Sequence, residues 1–300
     1  MVRRTRRWRA RSAFALKKVS KQATMHFSMI DKRSTGVFRI IPVCAFADNF
    51  IWLIHDGRHA VAVDVGDATP LLERLDALNL TLSAVLCTHH HADHVGGNAA
   101  LVARCPAPVY GPENERIPAR TVPLRGGETL VLPGLEIPCR VLAVPGHTLG
   151  HLAYAIETPE GTALFCGDAL FSAGCGRIFE GTAAMMWQSL SALATLPETT
   201  RIYCGHEYTL SNLRFARAVE PDNAALIARE AAVRALREAG KPSVPSTLAE
   251  ERATNPFLRV DVPAVQAAVR AYSGLPCVTA PETFAVLRTW RDDFIDTVMY

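Results

Sequence analysis

No stretch of this 300-residue chain approaches the ~18 consecutive apolar residues that a bilayer-spanning helix requires, which excludes an integral helical membrane protein. There is also no Cys-x-x-Cys. The eight cysteines, Cys44, Cys87, Cys105, Cys139, Cys166, Cys175, Cys204 and Cys277, lie mostly inside apolar runs. That distribution fits reduced, buried thiols in a reducing, cytoplasmic setting and argues against a disulfide framework. Acidic residues are missing from positions 1–24, which hold nine Lys and Arg. Subtracting those nine from the formal net charge of +3 leaves −6 on the remainder. The basic character therefore belongs to a tail, and the body is not a nucleic-acid binder by composition.

What is present is a large apolar fraction, 49%, enough for a sizeable core in one large or two modest domains. Residues 1–36 read as a basic, disordered extension, or as sequence upstream of a true start at Met25 or Met29. A mitochondrial transit peptide or a basic arm has the same composition, so the tail assigns no function. Folded structure is expected from Val37. Val37–Val43, Phe50–His55 and His59–Val65 read as strands, with Asp56-Gly57 as a hairpin turn. Thr69-Pro70 supplies an N-cap and first position for a helix to Leu78.

The next strand, Leu82–Cys87, runs into Thr88-His89-His90-His91-Ala92-Asp93-His94, and Val95-Gly96-Gly97-Asn98 then opens a helix to about Arg104. A strand end that breaks into a helix start throws neighbouring side chains toward one point. Residues two apart on extended backbone share a face, so His89 and His91 point together and His90 points away. Imidazoles with a nearby carboxylate suit Zn, Fe or Mn, and an Asp among them favours a hydrolytic site over a closed structural one. A His-rich tract alone also binds metal adventitiously. Here, however, further strand ends deliver matching groups. Leu135–Val144 leads to Pro145-Gly146-His147-Thr148, Thr162–Cys166 to Gly167-Asp168, and Arg201–Cys204 to Gly205-His206-Glu207-Tyr208. The remaining strands in this region are Leu130–Leu132 and His151–Glu157, after a short one at Pro106–Gly111. With these, His89, His91, Asp93, His94, His147, Asp168 and His206 make five His and two Asp. That count suits two four-coordinate metals sharing one carboxylate. Asp64, at the end of an earlier strand, either orients a ligand histidine or makes local turn bonds.

Beyond position 208 the pattern turns helical. Ser211–Val219 suits a helix stopped by Pro221. Asp222–Ala239 places Leu226, Val233 and Leu236 on one face and ends at Gly240. Thr247 and Glu250 form a capping box.

The His-x-His-x-Asp-His stretch with PGHT, GDAL and GHEYT resembles the metallo-β-lactamase superfamily, an α/β fold. Further motifs are similar to glyoxalase II, the hydroxyacylglutathione hydrolases. They are Gly174-Cys175-Gly176-Arg177-Ile178-Phe179-Glu180-Gly181, Pro245–Glu251, Asn255–Arg259 and Leu287–Phe294. The likeness spans roughly residues 37–295. It implies an αββα sandwich over residues 37–208, with its metals at one edge of the two sheets, and a small helical substrate-binding domain over 209–300. It implies one metal on His89, His91 and His147, another on Asp93, His94 and His206, and Asp168 bridging them. Zn is the expected metal, with Fe or Mn as alternatives.

The implied reaction is hydrolysis of S-D-lactoylglutathione and related thioesters in methylglyoxal detoxification. A hydroxide between the ions attacks the acyl carbon, and Asp93 orients it. Arg177, Arg288 and Arg291 would meet glutathione carboxylates, Arg offering two-pronged geometry, and Tyr208 would donate its hydroxyl. Phe179 stands where some members have Tyr, which removes one hydrogen bond of order 0.5–1.5 kcal/mol. Arg177 stands where some have Lys. The expected protein is a monomer without nucleic-acid or membrane partners. The alternative is a mononuclear-iron glutathione persulfide dioxygenase of the same superfamily, which shares much of the ligand set.

Overall fold

The computed structural model describes residues 38–277 and 279–294, so the expectations for residues 1–36 and for a strand starting at Val37 lie outside the described residues. The first sheet is ordered β1 (Arg39–Ala45), β2 (Asn49–His55), β3 (His59–Val63), β4 (Thr81–Leu86), β5 (Val109–Pro112) and β6 (Val122–Leu124). β1, β2 and β3 pair antiparallel, and β3 through β6 pair parallel. Parallel neighbours need crossovers, supplied by α1 (Ala68–Leu78) and by α2 (Ala92–Val95) with α3 (Asn98–Arg104).

The second sheet begins with β7 (Thr129–Leu132), β8 (Ile137–Ala143), β9 (Leu152–Thr158) and β10 (Gly161–Gly167). A small hairpin, β11 (Leu170–Phe171) and β12 (Gly174–Cys175), and a helix, α4 (Ala183–Leu193), precede β13 (Arg201–Cys204). Then come α5 (Thr209–Val219), α6 (Ala224–Glu238), β14 (Ser246–Thr247), α7 (Leu248–Thr254), α8 (Pro263–Ser273) and α9 (Ala280–Asp293). β14 returns to pair with β13, giving the order β14-β13-β10-β9-β8-β7.

The layering follows from the two-residue period of a strand. All of β2 is buried, but its two faces go to different places. Phe50, Trp52 and Ile54 join Val61, Leu86, Val141, Tyr154 and Phe165 between the sheets. Ile51 and Leu53 pack outward with Ala60, Ala62, Leu71, Leu75 and Leu101 beneath α1 and α3. On the far side, Met186 and Leu190 of α4 and Phe284 and Leu287 of α9 cover the second sheet. Helix, sheet, sheet and helix therefore stack in that order. Each fully buried Leu or Phe contributes about 1.5–3 kcal/mol relative to exposure.

Several boundaries differ from the sequence reading, each for a local reason. β3 stops at Val63, short of Val65, because Asp64 is left-handed (φ 56°). β8 starts at Ile137 and not Leu135 because Glu136 is left-handed (φ 54°) and closes a tight hairpin by donating to Leu132 O at 2.9 Å. The strand expected at Pro106–Gly111 is Val109–Pro112. The cap of α1 is Asp67, which accepts from Thr69 N–H, so Thr69 is inside the helix. The helix expected after the His stretch is two pieces broken at Gly96-Gly97. A Cβ on Gly97 would lie 2.6 Å from Ala68 N, so glycine there lets α1 approach. Asn223 caps α6, and Gly240 is left-handed at its end as expected. Leu226 and Val233 are buried, but Leu236 is exposed, because α6 turns its last residues to solvent. Thr247 and Glu250 form the expected capping box. All eight cysteines are free thiols; six are buried, while Cys44 is exposed and Cys105 half-buried.

Candidate metal centre

The seven predicted side chains meet at one edge of the sandwich, where both sheets end. His89, His91, Asp93 and His94 follow β4, His147 lies between β8 and β9, Asp168 follows β10, and His206 follows β13. Hydrogen bonds lock the two sheets together at this edge. Leu152 N–H donates to Thr88 O (2.8 Å), Tyr154 Oη to Cys87 O (2.7 Å), Trp52 Nε1 to Cys204 O (2.8 Å) and Phe50 N–H to Gly205 O (2.8 Å). Gly205 is obligatory there, since a Cβ would sit 2.6 Å from Asp168 Oδ1 and 2.7 Å from His94 Cε1.

Two ligand groups result. His91 Nδ1 lies 3.1 Å from His89 Nε2 and 3.0 Å from His147 Nε2. His94 Nε2 lies 3.2 Å from His206 Nε2, and Asp93 Oδ2 is 3.5 Å and 3.4 Å from those two nitrogens. Zn–N bonds of about 2.0–2.1 Å place tetrahedral ligand atoms roughly 3.3–3.4 Å apart, so both groups have the spacing of ligands about a cation. Asp168 faces both. Its Oδ1 is 3.3 Å from His94 Nε2, and its Oδ2 is 3.5 Å from both His147 Nε2 and His206 Nε2. Oδ1 is buried and has no hydrogen-bond donor. A buried carboxylate oxygen without a partner is costly in a protein and is satisfied by a cation. The donor set and its geometry thus fit divalent metal.

Four of the five histidines are oriented from behind. Thr88 Oγ1 donates to Asp64 Oδ2 (2.8 Å) and so accepts from His89 Nδ1 (3.0 Å), leaving His89 Nε2 a free lone pair. His94 Nδ1 donates to Asp64 Oδ2 (3.1 Å), His147 Nδ1 to Arg177 O (2.7 Å) and His206 Nδ1 to Asp48 Oδ1 (2.8 Å). Asn49 Nδ2 donates to Asp93 Oδ2 (2.9 Å). Asp64 therefore both orients a ligand histidine and makes a turn bond, accepting from Thr88 N–H at 2.7 Å. Asp48, Asn49 and Thr88 escaped the sequence reading. An Asp-Asn pair in a hairpin turn is ordinary turn chemistry, and nothing local marks it.

The electrostatics sort the groups in the ion-free site. Burial, and then the neighbouring His94, His151 and His147, hold His89 well below its usual value, as a neutral donor. Burial also opposes protonation of His94, but Asp168, Asp64 and Asp93 overcome it and push His94 up to about 9. Burial works against an ionised Asp168 too. His94, His206 and His147 prevail and hold it below the usual carboxylate range.

The expected substrate-binding residues surround the centre unequally. Tyr208 stacks on His206 (ring centroids 4.7 Å, 6° between planes). Phe179 is 60% exposed and sets its ring edge-on to His91 and His147, 5.3 Å from each. Arg177 Nε meets Asp292 Oδ1 at 3.1 Å, and Arg288 Nη2 meets the same oxygen at 3.0 Å. Arg288 is only 7% exposed, with Nη1 on Cys175 O (3.0 Å) and its guanidinium 5.2 Å above the Phe257 ring. It thus supports the turn in which the Arg177 carbonyl, two residues on, holds His147. Arg291 reaches Ser211 Oγ at 2.9 Å and lies over Phe215.

A two-sheet sandwich carrying this His/Asp cluster at one edge defines a metallo-β-lactamase-type hydrolase, and the Metallo-beta-lactamase superfamily model matches residues 46–206. The model of the hydroxyacylglutathione hydrolase C-terminus matches residues 207–294. The hydroxyacylglutathione hydrolase of Cupriavidus taiwanensis is 53% identical over 266 residues, 86% of this chain and 100% of that protein. That of Nitrosomonas europaea is 48% identical over 258 residues, 86% of this chain and 97% of that protein. Among solved structures, ETHE1 from Myxococcus xanthus superposes with TM-score 0.57 at 27% identity, covering 84% of this chain and 89% of that one. The BLEG-1 B3 metallo-beta-lactamase shares the fold, with TM-score 0.54 at 23% identity over 74% of this chain and 99% of that one. The chain belongs to the hydroxyacylglutathione hydrolase (glyoxalase II) family, within the metallo-β-lactamase superfamily, and is a hydrolase. The fold and the His/Asp groups imply a divalent-metal site. Among the described residues no helix is long and apolar enough to cross a membrane.

Proposed function

We propose that this enzyme cleaves S-(2-hydroxyacyl)glutathione thioesters, S-D-lactoylglutathione foremost, to glutathione and a 2-hydroxy acid such as D-lactate. The seven side chains at the sandwich edge would hold two divalent ions, zinc foremost with iron or manganese as alternatives, His89, His91 and His147 holding one, Asp93, His94 and His206 the other, and Asp168 serving both. Such a pair, when bound, lowers the pKa of water toward ~7 and polarises an acyl carbonyl. The protein's own part is positional. Asp48, Asp64, Thr88 and the Arg177 carbonyl fix which imidazole nitrogen faces the centre. Asn49 holds one oxygen of Asp93, which orients the attacking water from the rim. A thiolate leaves more readily than an alkoxide or amine, so the site needs no strong general acid.

Residues 37–208 serve as the catalytic domain and 209–300 as the helical substrate-binding domain. Phe179 and Tyr208 wall the cleft, Arg177 and Arg291 supply positive charge toward the two carboxylates of glutathione, and Arg288, expected beside them, acts from behind through the Cys175 carbonyl. We place the reaction in the cytoplasm, on a monomer. The observation that carries this reading is the continuous path from α9 to the centre: Arg288 holds Cys175 O, and Arg177 O two residues on holds His147. That path ties the segment matching the hydroxyacylglutathione hydrolase C-terminus to a ligand histidine.

The test is a thiol-release assay with S-D-lactoylglutathione on protein whose metals have been counted. Turnover with divalent metal bound is expected. Absence of thiol release from metal-replete protein, together with O₂ uptake on glutathione persulfide, would overturn it in favour of a persulfide dioxygenase.

A further inference from the structure

The middle histidine of the ligand stretch takes no part in the centre. His90 turns away, as its place on the extended segment predicts, into a cleft of about 470 Å³ that Glu115, Leu149, Gly150 and Glu180 also line. Its Nδ1 lies 3.1 Å from Glu115 Oε2, and its Nε2 lies 3.2 Å from Glu180 Oε1. Each carboxylate is anchored by its other oxygen. Glu115 Oε1 accepts from Thr148 Oγ1 (2.5 Å) and from Gly150 N–H (2.9 Å), and Glu180 Oε2 accepts from Leu149 N–H (3.0 Å). One oxygen of each is thereby fixed, and the second is presented to His90.

The Glu115 side chain is only 4% exposed. Its Oε2 and His90 Nδ1 are both buried, and neither makes a hydrogen bond although they are 3.1 Å apart. Buried polar atoms ordinarily find a partner. Two such atoms facing each other without hydrogen-bond geometry have the spacing that neighbouring ligands of one cation would have. One ligand atom from each of His90, Glu115 and Glu180 can come within reach of a single ion.

We infer that His90, Glu115 and Glu180 form a further divalent-cation site, distinct from the Asp168-centred one. One imidazole nitrogen and one oxygen from each of two carboxylates suit zinc or manganese, and with a neutral imidazole the set carries two negative charges. Three protein ligands leave positions for water. Glu180 is partly exposed at the cleft mouth and Arg116 lines the same cleft, so this ion exchanges freely and fills after the buried centre.

The inference stands apart from the reading of the main centre, and counting zinc separates the two. The full chain is dialysed against rising free Zn²⁺ and its zinc counted by elemental analysis. Wild-type protein is expected to saturate one equivalent above Glu180→Gln, which can still accept from Leu149 N–H and keeps both its fold and its activity without added zinc. His90→Ala is expected to lose the same equivalent. Asp168→Ala should instead lose zinc from the buried centre and keep the extra equivalent. If wild type and Glu180→Gln saturate at the same number, the further site does not exist, whatever Asp168→Ala shows.

Discussion

Asp64 Oδ2 accepts from His94 Nδ1 at 3.1 Å while its Oδ1 accepts from Thr88 N–H at 2.7 Å, so one left-handed residue at the end of β3 steers both the histidine and the loop that carries it. Asn tolerates the left-handed conformation about as well as Asp, so Asp64→Asn keeps the backbone and removes the charge. Loss of such an outer partner typically costs 10–100-fold in metal affinity. Competition with a chelator of known affinity should show a drop in that range for Asp64→Asn, with near-native circular dichroism. Unchanged affinity would mean that the His94 ring is held by packing alone.

Asp168 is the residue whose two oxygens face both ligand groups, and its Oδ1 has no donor in the protein. Asp168→Ala should lose bound metal and turnover together, to background. Full turnover with two ions still bound would refute a shared carboxylate. Without its negative charge, neighbouring His94 and His206 also lose the main attraction that favours their protonation.

The same charges predict a proton count. In the ion-free site His94 is raised to about 9 by Asp168, Asp64 and Asp93 against the opposing effect of burial, so it is protonated at pH 7. An imidazole must lose that proton to bind through Nε2, and metal uptake by metal-free protein should therefore release protons. Calorimetry in buffers of different ionisation enthalpy should report at least one proton released at pH 7, falling toward zero above about pH 9. Apparent affinity should rise with pH over the same range. Uptake without proton release would show His94 already neutral.

How much of this was legible follows from the kind of signal each residue gives. His89, His91, Asp93 and His94 announce themselves because ligand-type side chains crowd a strand end. His147, Asp168 and His206 are legible because each follows an apolar run and sits beside a glycine. Their convergence, however, depends on β9 meeting the end of β4 through Leu152 and Tyr154, which no local pattern encodes. Helix α4 went unremarked although Met186 and Leu190 are buried against the second sheet. The two-residue strands β11 and β12 are too short to show any alternation. The arginines illustrate the opposite limit. Sequence marks Arg177, Arg288 and Arg291 as equivalent charges, and only burial distinguishes them.

That distinction yields the last prediction. Arg177 has a side chain that is 60% exposed, whereas Arg288 is buried with Cys175 O and Asp292 Oδ1 as acceptors. Arg177→Ala should leave Tm nearly unchanged and raise KM for a glutathione thioester by up to roughly fivefold, the equivalent of about 1 kcal/mol for an exposed ion pair. A neutral thioester should be little affected. Arg288→Ala strips the buried Cys175 carbonyl of this donor, which costs about 1–3 kcal/mol of stability. It also loosens the turn whose Arg177 carbonyl orients His147. Its signature should be a lowered Tm and a lowered kcat on both substrates, with weaker metal retention. If Arg288→Ala instead raises KM for the glutathione thioester alone, at unchanged Tm, its guanidinium contacts the substrate directly and the carbonyls of the turn do not depend on it.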